Sequence, residues 1–276
     1  DRINTKGLDK IKADALQAAV SNSYNTGDVR GYTGVGGVVG MMYKGEVAGS
    51  YNLGHLRTTR IATDSSNIEA VNMGGIVGDT TEETQANAVI YDVYNKGQIG
   101  DDTYTYYARH VGGIVGRLSG DISKAYNNGE IYNGYTATGG VVGWMYKGSV
   151  NNAYNTGNIT VYNHDESTSQ VGGIVGAAGT ANGKINITNV YNLGTLRSIK
   201  ANAALVGIEN HKIGNNAVGG IIGAVMNKGT VNISGAYTTG NIYAGVQNEQ
   251  GSMELDTEND MVGSIYGENR GVKDNT

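Results

Sequence analysis

Apolar residues in this chain fall at fixed distances from a recurring tyrosine. The tetrapeptide Tyr24-Asn25-Thr26-Gly27 returns as YNLG at Tyr51, YNKG at Tyr94, YNNG at Tyr126, YNTG at Tyr154, YNLG at Tyr191 and YTTG at Tyr237. Four positions before each tyrosine stands a branched aliphatic: Val20, Val47, Ile90, Ile122, Val150, Ile187 and Ile233. Five positions after it stands another: Val29, Leu56, Ile99, Ile131, Ile159, Leu196 and Ile242. A second motif follows each time, VGGVVG from Val35, MGGIVG from Met73, VGGIVG from Val111, TGGVVG from Thr138, VGGIVG from Val171, VGGIIG from Val218 and VGSIYG from Val262. Strict alternation of two motifs without exception is the signature of a repeat architecture.

The shortest period, Tyr24 to Tyr51, is 27 residues. A minimal unit holds three short β-branched stretches separated by turn signals, as in Val35 to Met42, then Lys44-Gly45, then Glu46 to Tyr51, then Asn52-Leu53-Gly54. No helical 3.6-residue period lies between them, and 27 residues are too few for a four-stranded propeller blade. The pattern therefore predicts an all-β chain, a parallel β-helix (β-solenoid) of about seven three-sided coils. At about 4.8 Å per coil the rod is about 34 Å long. Its expected winding is right-handed, a hand that the residues themselves do not fix. Identical residues stack from coil to coil in such a fold. Tyr24, Tyr51, Tyr94, Tyr126, Tyr154, Tyr191 and Tyr237 should thus form one structural ladder, and the aliphatics two more, all three in the core. The Asn-x-Gly step reads as a tight corner, with Gly27, Gly54, Gly97, Gly129, Gly157, Gly194 and Gly240 at positive φ. The paired glycines of the second motif admit either a bend or a close neighbour.

Length varies only between motifs. The long insertions, Arg57 to Asn72, Gly100 to His110, Thr160 to Gln170, Arg197 to Ala217 and Tyr243 to Met261, all follow the second aliphatic and so should project from one corner. Two shorter ones, Asp79 to Val89 and Ala177 to Lys184, leave from another. The expected organisation is an N-terminal cap or partial coil over 1–19, the repeat domain over 20–267 and a tail over 268–276. Leu8, Ile11 and Leu16 could mark a short capping helix. The last repeat is degenerate, with Thr238 for Asn, Ser264 for Gly and Tyr266 for Val.

Composition narrows the function. The chain has 45 Gly in 276 residues but no Pro, which excludes collagen. With no Cys, neither disulfides nor thiolate metal sites are available. A net charge of −5 is too weak and of the wrong sign to hold a phosphate backbone, so no nucleic-acid partner is expected. No apolar run is long enough to cross a bilayer, so no membrane insertion of this segment is expected either. Asp1 is not an initiator Met and no apolar leader run follows it, which reads as a processed segment.

The alternating YNxG and VGGIVG motifs resemble the GLUG repeat of large bacterial surface proteins, over essentially residues 20–267. Such repeats occur in filamentous-haemagglutinin-like adhesins and in the non-catalytic N-terminal parts of immunoglobulin A1 metallopeptidases. The resemblance implies an extracellular protein of the bacterial cell surface, joined to other domains of a larger parent chain. Its partner would be a host surface protein or glycan. The HExxH of the peptidases is missing here.

Chemistry is sparse. The adjacent acidic pairs, Glu82-Glu83, Asp101-Asp102 and Asp165-Glu166, sit in insertions at different levels, and no residue is assigned a catalytic role. His55, His110, His164 and His211 are scattered, and the loop His164-Asp165-Glu166 reads as solvated sooner than as a metal site. No cofactor is implied. Asn158, Asn186 and Asn232 open Asn-x-Ser/Thr triplets, which Asn-rich strands produce by accident. The insertion Asp101-Asp102-Thr103-Tyr104-Thr105-Tyr106-Tyr107-Ala108-Arg109 carries tyrosines outside the ladder. Tyr and Arg are favoured contact residues, so Asp101, Asp102, Tyr104, Tyr106, Tyr107 and Arg109 are the candidate binding residues. The reading that follows is a non-catalytic adhesin rod; a passive stalk and a polysaccharide-active β-helix enzyme are the alternatives.

Overall fold

A computed structural model describes residues 18–59, 71–80, 87–102, 108–163, 167–179, 184–201, 214–226, 230–248, 250, 252–255 and 260–269. Every regular element among them is a β-strand. One repeat shows the path. The chain runs through Val115–Asn127 in a 14-stranded sheet, Ile131–Asn133 in a five-stranded sheet and Ala137–Gly139 in a seven-stranded sheet, then returns to the first sheet as Val142–Asn155. Val29–Gly31 and Leu56–Thr58 form a two-stranded sheet, which single bridges through Ile99 join to Ile131 at the start of the five-stranded one. Strands pair in parallel with the equivalent strand of the next repeat, the arrangement of a β-helix or solenoid, except that Met253–Leu255 pairs antiparallel with Ile242–Gln247.

Register follows the motifs residue for residue. Val20, Val47, Ile90, Ile122, Val150, Ile187 and Ile233 pair in succession, as do the seven tyrosines. A one-residue slip would turn each of these side chains to the opposite face, so the apolar pattern itself enforces the register. The aliphatics before the tyrosines pack with Ile76, Ile114, Val141, Ile174 and Ile221 in one apolar column. Those after the tyrosines pack with Val35, Met73, Val111, Val171 and Val218 in a second. Both aliphatic ladders are core, as the sequence predicts.

The tyrosines are not. Their rings stack in one continuous ladder, 4.8 to 5.1 Å between centroids and 1° to 10° from parallel. The ladder lies on the outer surface, however, with Tyr24 and Tyr237 63% and 51% exposed and the five between them half-buried. The asparagine beside each tyrosine takes the interior, because adjacent residues of a strand point to opposite faces. Asn52, Asn95, Asn127, Asn155 and Asn192 are fully buried. The Nδ2 of each donates to the next: Asn25 to Asn52, Asn52 to Asn95, Asn95 to Asn127, Asn127 to Asn155 and Asn155 to Asn192, at 2.7 or 2.8 Å. The second Nδ2 hydrogen of each goes to the carbonyl of the glycine two residues on. Thr238 ends the chain of amides through its hydroxyl, which accepts from Asn192 at 3.3 Å.

The corners also differ from expectation. None of the six Asn-x-Gly glycines, nor Gly240 after Thr238, has positive φ. A left-handed position recurs two residues before each tyrosine instead: Asn22, Gly49, Asp92, Lys124, Asn152, Asn189 and Gly235, with φ of 50° to 61°. Six of these seven are Asn, Asp or Gly, the residues that tolerate this conformation best. The Asn-x-Gly glycine answers to space instead. A Cβ on Gly129 would fall on the carbonyl oxygen of Gly97 one repeat below and 2.8 Å from Asn95 Nδ2. The second glycine of the paired motif is constrained likewise: a Cβ on Gly113 would lie 2.5 Å from Asn127 Cγ. Glycines on both sides thus clear room for the buried amide ladder.

Candidate functional site

The five long insertions share one point of departure. Each begins after a strand of the two- or five-stranded sheet, or after Ile99 that bridges them, and ends at a strand of the seven-stranded sheet, as between Leu56–Thr58 and Asn72–Gly74 or between Leu196–Lys200 and Asn216–Gly219. Where no insertion intervenes the same step is direct, from Ile131–Asn133 to Ala137–Gly139. The shorter insertions interrupt the large sheet instead, between Val77–Asp79 and Asn87–Asn95 and between Val175–Ala178 and Lys184–Asn192.

Of the six residues singled out from the sequence, the structure describes Asp101, Asp102 and Arg109, and these three have separate partners. Asp101 turns back along the rod, its Oδ1 accepting from Arg57 Nε at 3.1 Å and lying 3.2 Å from His55 Nε2. Asp102 is exposed and accepts at 2.9 Å from the hydroxyl of Tyr162. Arg109 is exposed at the start of the seven-stranded sheet, where its carbonyl accepts from Ala137 N and the Thr136 hydroxyl. Tyr104, Tyr106 and Tyr107 lie outside the described residues, as do Leu8, Ile11, Leu16 and the loop His164-Asp165-Glu166.

Register assembles a different group. On the outer face of the five-stranded sheet Tyr132 pairs with Thr160, Thr160 with Arg197 and Arg197 with Tyr243. Tyr162 stands two positions along from Thr160 on the same face, and its bond to Asp102 spans 60 residues of sequence. Tyr132 donates to Glu130 Oε2 at 2.9 Å. Burial first, then the Glu130 hydrogen bond and the charges of Glu130 and Asp102, push the Tyr132 phenol up to about 12, with Arg197 acting in the opposite sense. It stays a neutral donor at any physiological pH. The Arg197 guanidinium lies 5.6 Å over the Tyr243 ring, within cation–π reach. These residues share one signal in the sequence: Tyr132, Thr160, Arg197 and Tyr243 all stand six positions after a ladder tyrosine.

A second polar group is internal. The buried carboxylate of Asp79 receives Arg117 through Nε at 2.9 Å and Nη2 at 2.6 Å, and Asn72 Nδ2 at 2.8 Å. Because the Asn72 amide nitrogen faces a carboxylate, its oxygen faces His110 Nδ1, 2.7 Å away, and Nδ1 must carry the proton. Burial first, then the cations of Arg109 and Arg117, hold His110 well below its usual range. The histidine is therefore neutral when folded but titrates near 6.5 when unfolded. A depressed histidine pKa takes stability away as pH falls through the unfolded value, because only the unfolded chain binds the proton there. Lowering pH from 7.5 to 5.5 should thus cost the wild type about 1 kcal/mol more than His110→Gln. Urea midpoints at the two pH values measure the difference, and equal losses would sink the assignment. Among the described residues no three His, Asp or Glu side chains are grouped to hold a metal ion. No family model matches the chain, nor does any curated protein or solved structure.

Proposed function

We propose that the chain is a rod of about seven three-sided coils, wound right-handed, that performs no reaction and serves as a binding segment of an extracellular bacterial adhesin of the GLUG-repeat kind. The observation that carries this reading is the common departure point of the long insertions. The repeats are committed to packing, with two apolar columns and an amide ladder that leave little freedom to vary. Only the insertions and the outer faces differ between equivalent levels, and specificity must reside where equivalent levels differ. Displayed from one edge of a rod, they would meet a host surface protein or glycan together. The alternative is a passive stalk holding other domains of a larger chain away from the cell.

Deletion separates the two. Short Gly-Ser linkers in place of residues 60–70, 103–107 and 202–213 replace no described strand residue, so circular dichroism should stay nearly unchanged. Attachment to host cells or matrix should fall by at least about tenfold if the insertions carry the contact. Undiminished attachment of the triple replacement would establish the stalk.

A further inference from the structure

On the same edge, the outer face of the five-stranded sheet holds a group whose chemistry names a ligand class. We propose that Tyr132, Thr160, Tyr162 and Arg197, with the carboxylates of Asp102 and Glu130, bind a neutral, hydroxyl-rich glycan chain lying along the rod axis. This deepens the adhesin reading and rests on it for its biological setting. Three observations converge. First, the group joins aromatic rings to hydrogen-bonding groups of both kinds, the combination that recognises a sugar by its apolar face and its hydroxyl rim. Each carboxylate has one oxygen engaged by a phenol, Asp102 by Tyr162 and Glu130 by Tyr132, both at 2.9 Å. The other oxygen remains to accept from a ligand hydroxyl.

Second, the spacing suits a sugar chain. Thr160 is short and buried, and it lies in register between the long side chains of Tyr132 and Arg197, which it sets two levels apart along the axis. Successive levels lie about 4.8 Å apart, close to the length of one pyranose in an extended chain, so neighbouring sugars would meet neighbouring coils in the same register. Third, charge selects against an acidic chain. Two carboxylates face one guanidinium, which is already placed over Tyr243, and the whole chain carries −5. An anionic sugar would be repelled where a neutral one is not. Lower on the same face, Arg57 is tied to Asp101 and Asp28, so that part is satisfied within the protein.

The test is titration calorimetry of the full chain with neutral hexasaccharides of β-glucan, xylan, mannan and galactan, and with the hexamer of polygalacturonate. At least one neutral hexamer should bind, and more tightly than the acidic one. Arg197→Ala and Tyr132→Ala should each weaken it at least about tenfold, and Tyr162→Phe, which removes only a hydroxyl, by a smaller factor with unchanged melting temperature. Absence of binding by every neutral hexamer overturns the proposal. So does equal or tighter binding of the acidic hexamer, or wild-type affinity in all three variants. The adhesin reading fails separately: a chain that binds hexamer but attaches to no host surface keeps this site and loses that function. Attachment that depends on the insertions, without any hexamer binding, keeps the function and loses the site.

Discussion

Asn127→Ala is expected to destabilise the protein by about 3 to 5 kcal/mol, more than Tyr126→Ala at the neighbouring position. Asn127 is fully buried, and its side chain makes four hydrogen bonds. It accepts from Asn95 Nδ2 at 2.7 Å and Gly129 N at 3.2 Å, and donates to Gly129 O and Asn155 Oδ1 at 2.8 Å each. Truncation strands one donor on Asn95 and one acceptor on Asn155, besides the two Gly129 groups. An unsatisfied buried polar group costs about 1 to 3 kcal/mol, so two suffice for the expected loss. Tyr126 stacks between Tyr94 and Tyr154 at 5.0 and 4.9 Å but is half-exposed. Two aromatic contacts at about 0.5 to 1.5 kcal/mol each, plus partial burial, give about 2 kcal/mol. Thermal unfolding of the two variants checks the order. Asn25→Ala supplies a control, since Asn25 opens the ladder and receives no amide from a preceding Asn among the described residues. A larger loss from Tyr126→Ala than from Asn127→Ala would mean that the tyrosines, not the amides, hold the repeats in register.

This order reverses the one that the sequence suggests, and the reason is general. A strand shows which residues alternate but not which of two columns faces inward when both are invariant. Tyr is constant in all seven repeats and Asn in six, and hydrophobicity favours Tyr for the interior. What decides otherwise is the stacking itself. An amide has a donor at one end and an acceptor at the other, so a parallel stack satisfies every copy from its neighbours. Burial then adds strength to those bonds and carries no desolvation penalty left unanswered. The aliphatic ladders were legible because burial and invariance agree there. The left-handed column was less so, since its residues vary from Asn22 to Lys124, although its fixed offset of two from each tyrosine is visible once the repeats are aligned.

The candidate site was hidden for a different reason. Asp102, Tyr132, Thr160, Tyr162 and Arg197 belong to four different repeats and form no motif in the chain; register alone brings them together. Reading the repeats by column would have shown Tyr132, Arg197 and Tyr243 six positions after their ladder tyrosines. The segment from Asp101 to Arg109 stands out in the sequence because three tyrosines fall within four residues, and of its described residues only Asp102 joins the group.

Gly129→Ala should be nearly as damaging as loss of the amide, about 3 kcal/mol or more, whereas Gly27→Ala should cost almost nothing. The two glycines hold the same position in the repeat and neither has positive φ, so a purely conformational need would make the two substitutions equal. Their surroundings differ. A methyl on Gly129 would occupy the carbonyl oxygen of Gly97 and crowd Asn95 Nδ2, so adjacent strands must separate to admit it. That separation would lengthen both the backbone bonds between repeats and the amide ladder beside them. At Gly27 the nearest atom, Asn25 Oδ1, is 3.8 Å from the same methyl, an ordinary van der Waals contact. The pair of variants therefore isolates close approach from backbone conformation, with urea unfolding as the measurement. Comparable losses at the two positions would return the explanation to φ. A large loss at Gly129 alone fixes the role of these glycines as spacers that let one repeat lie directly on the next.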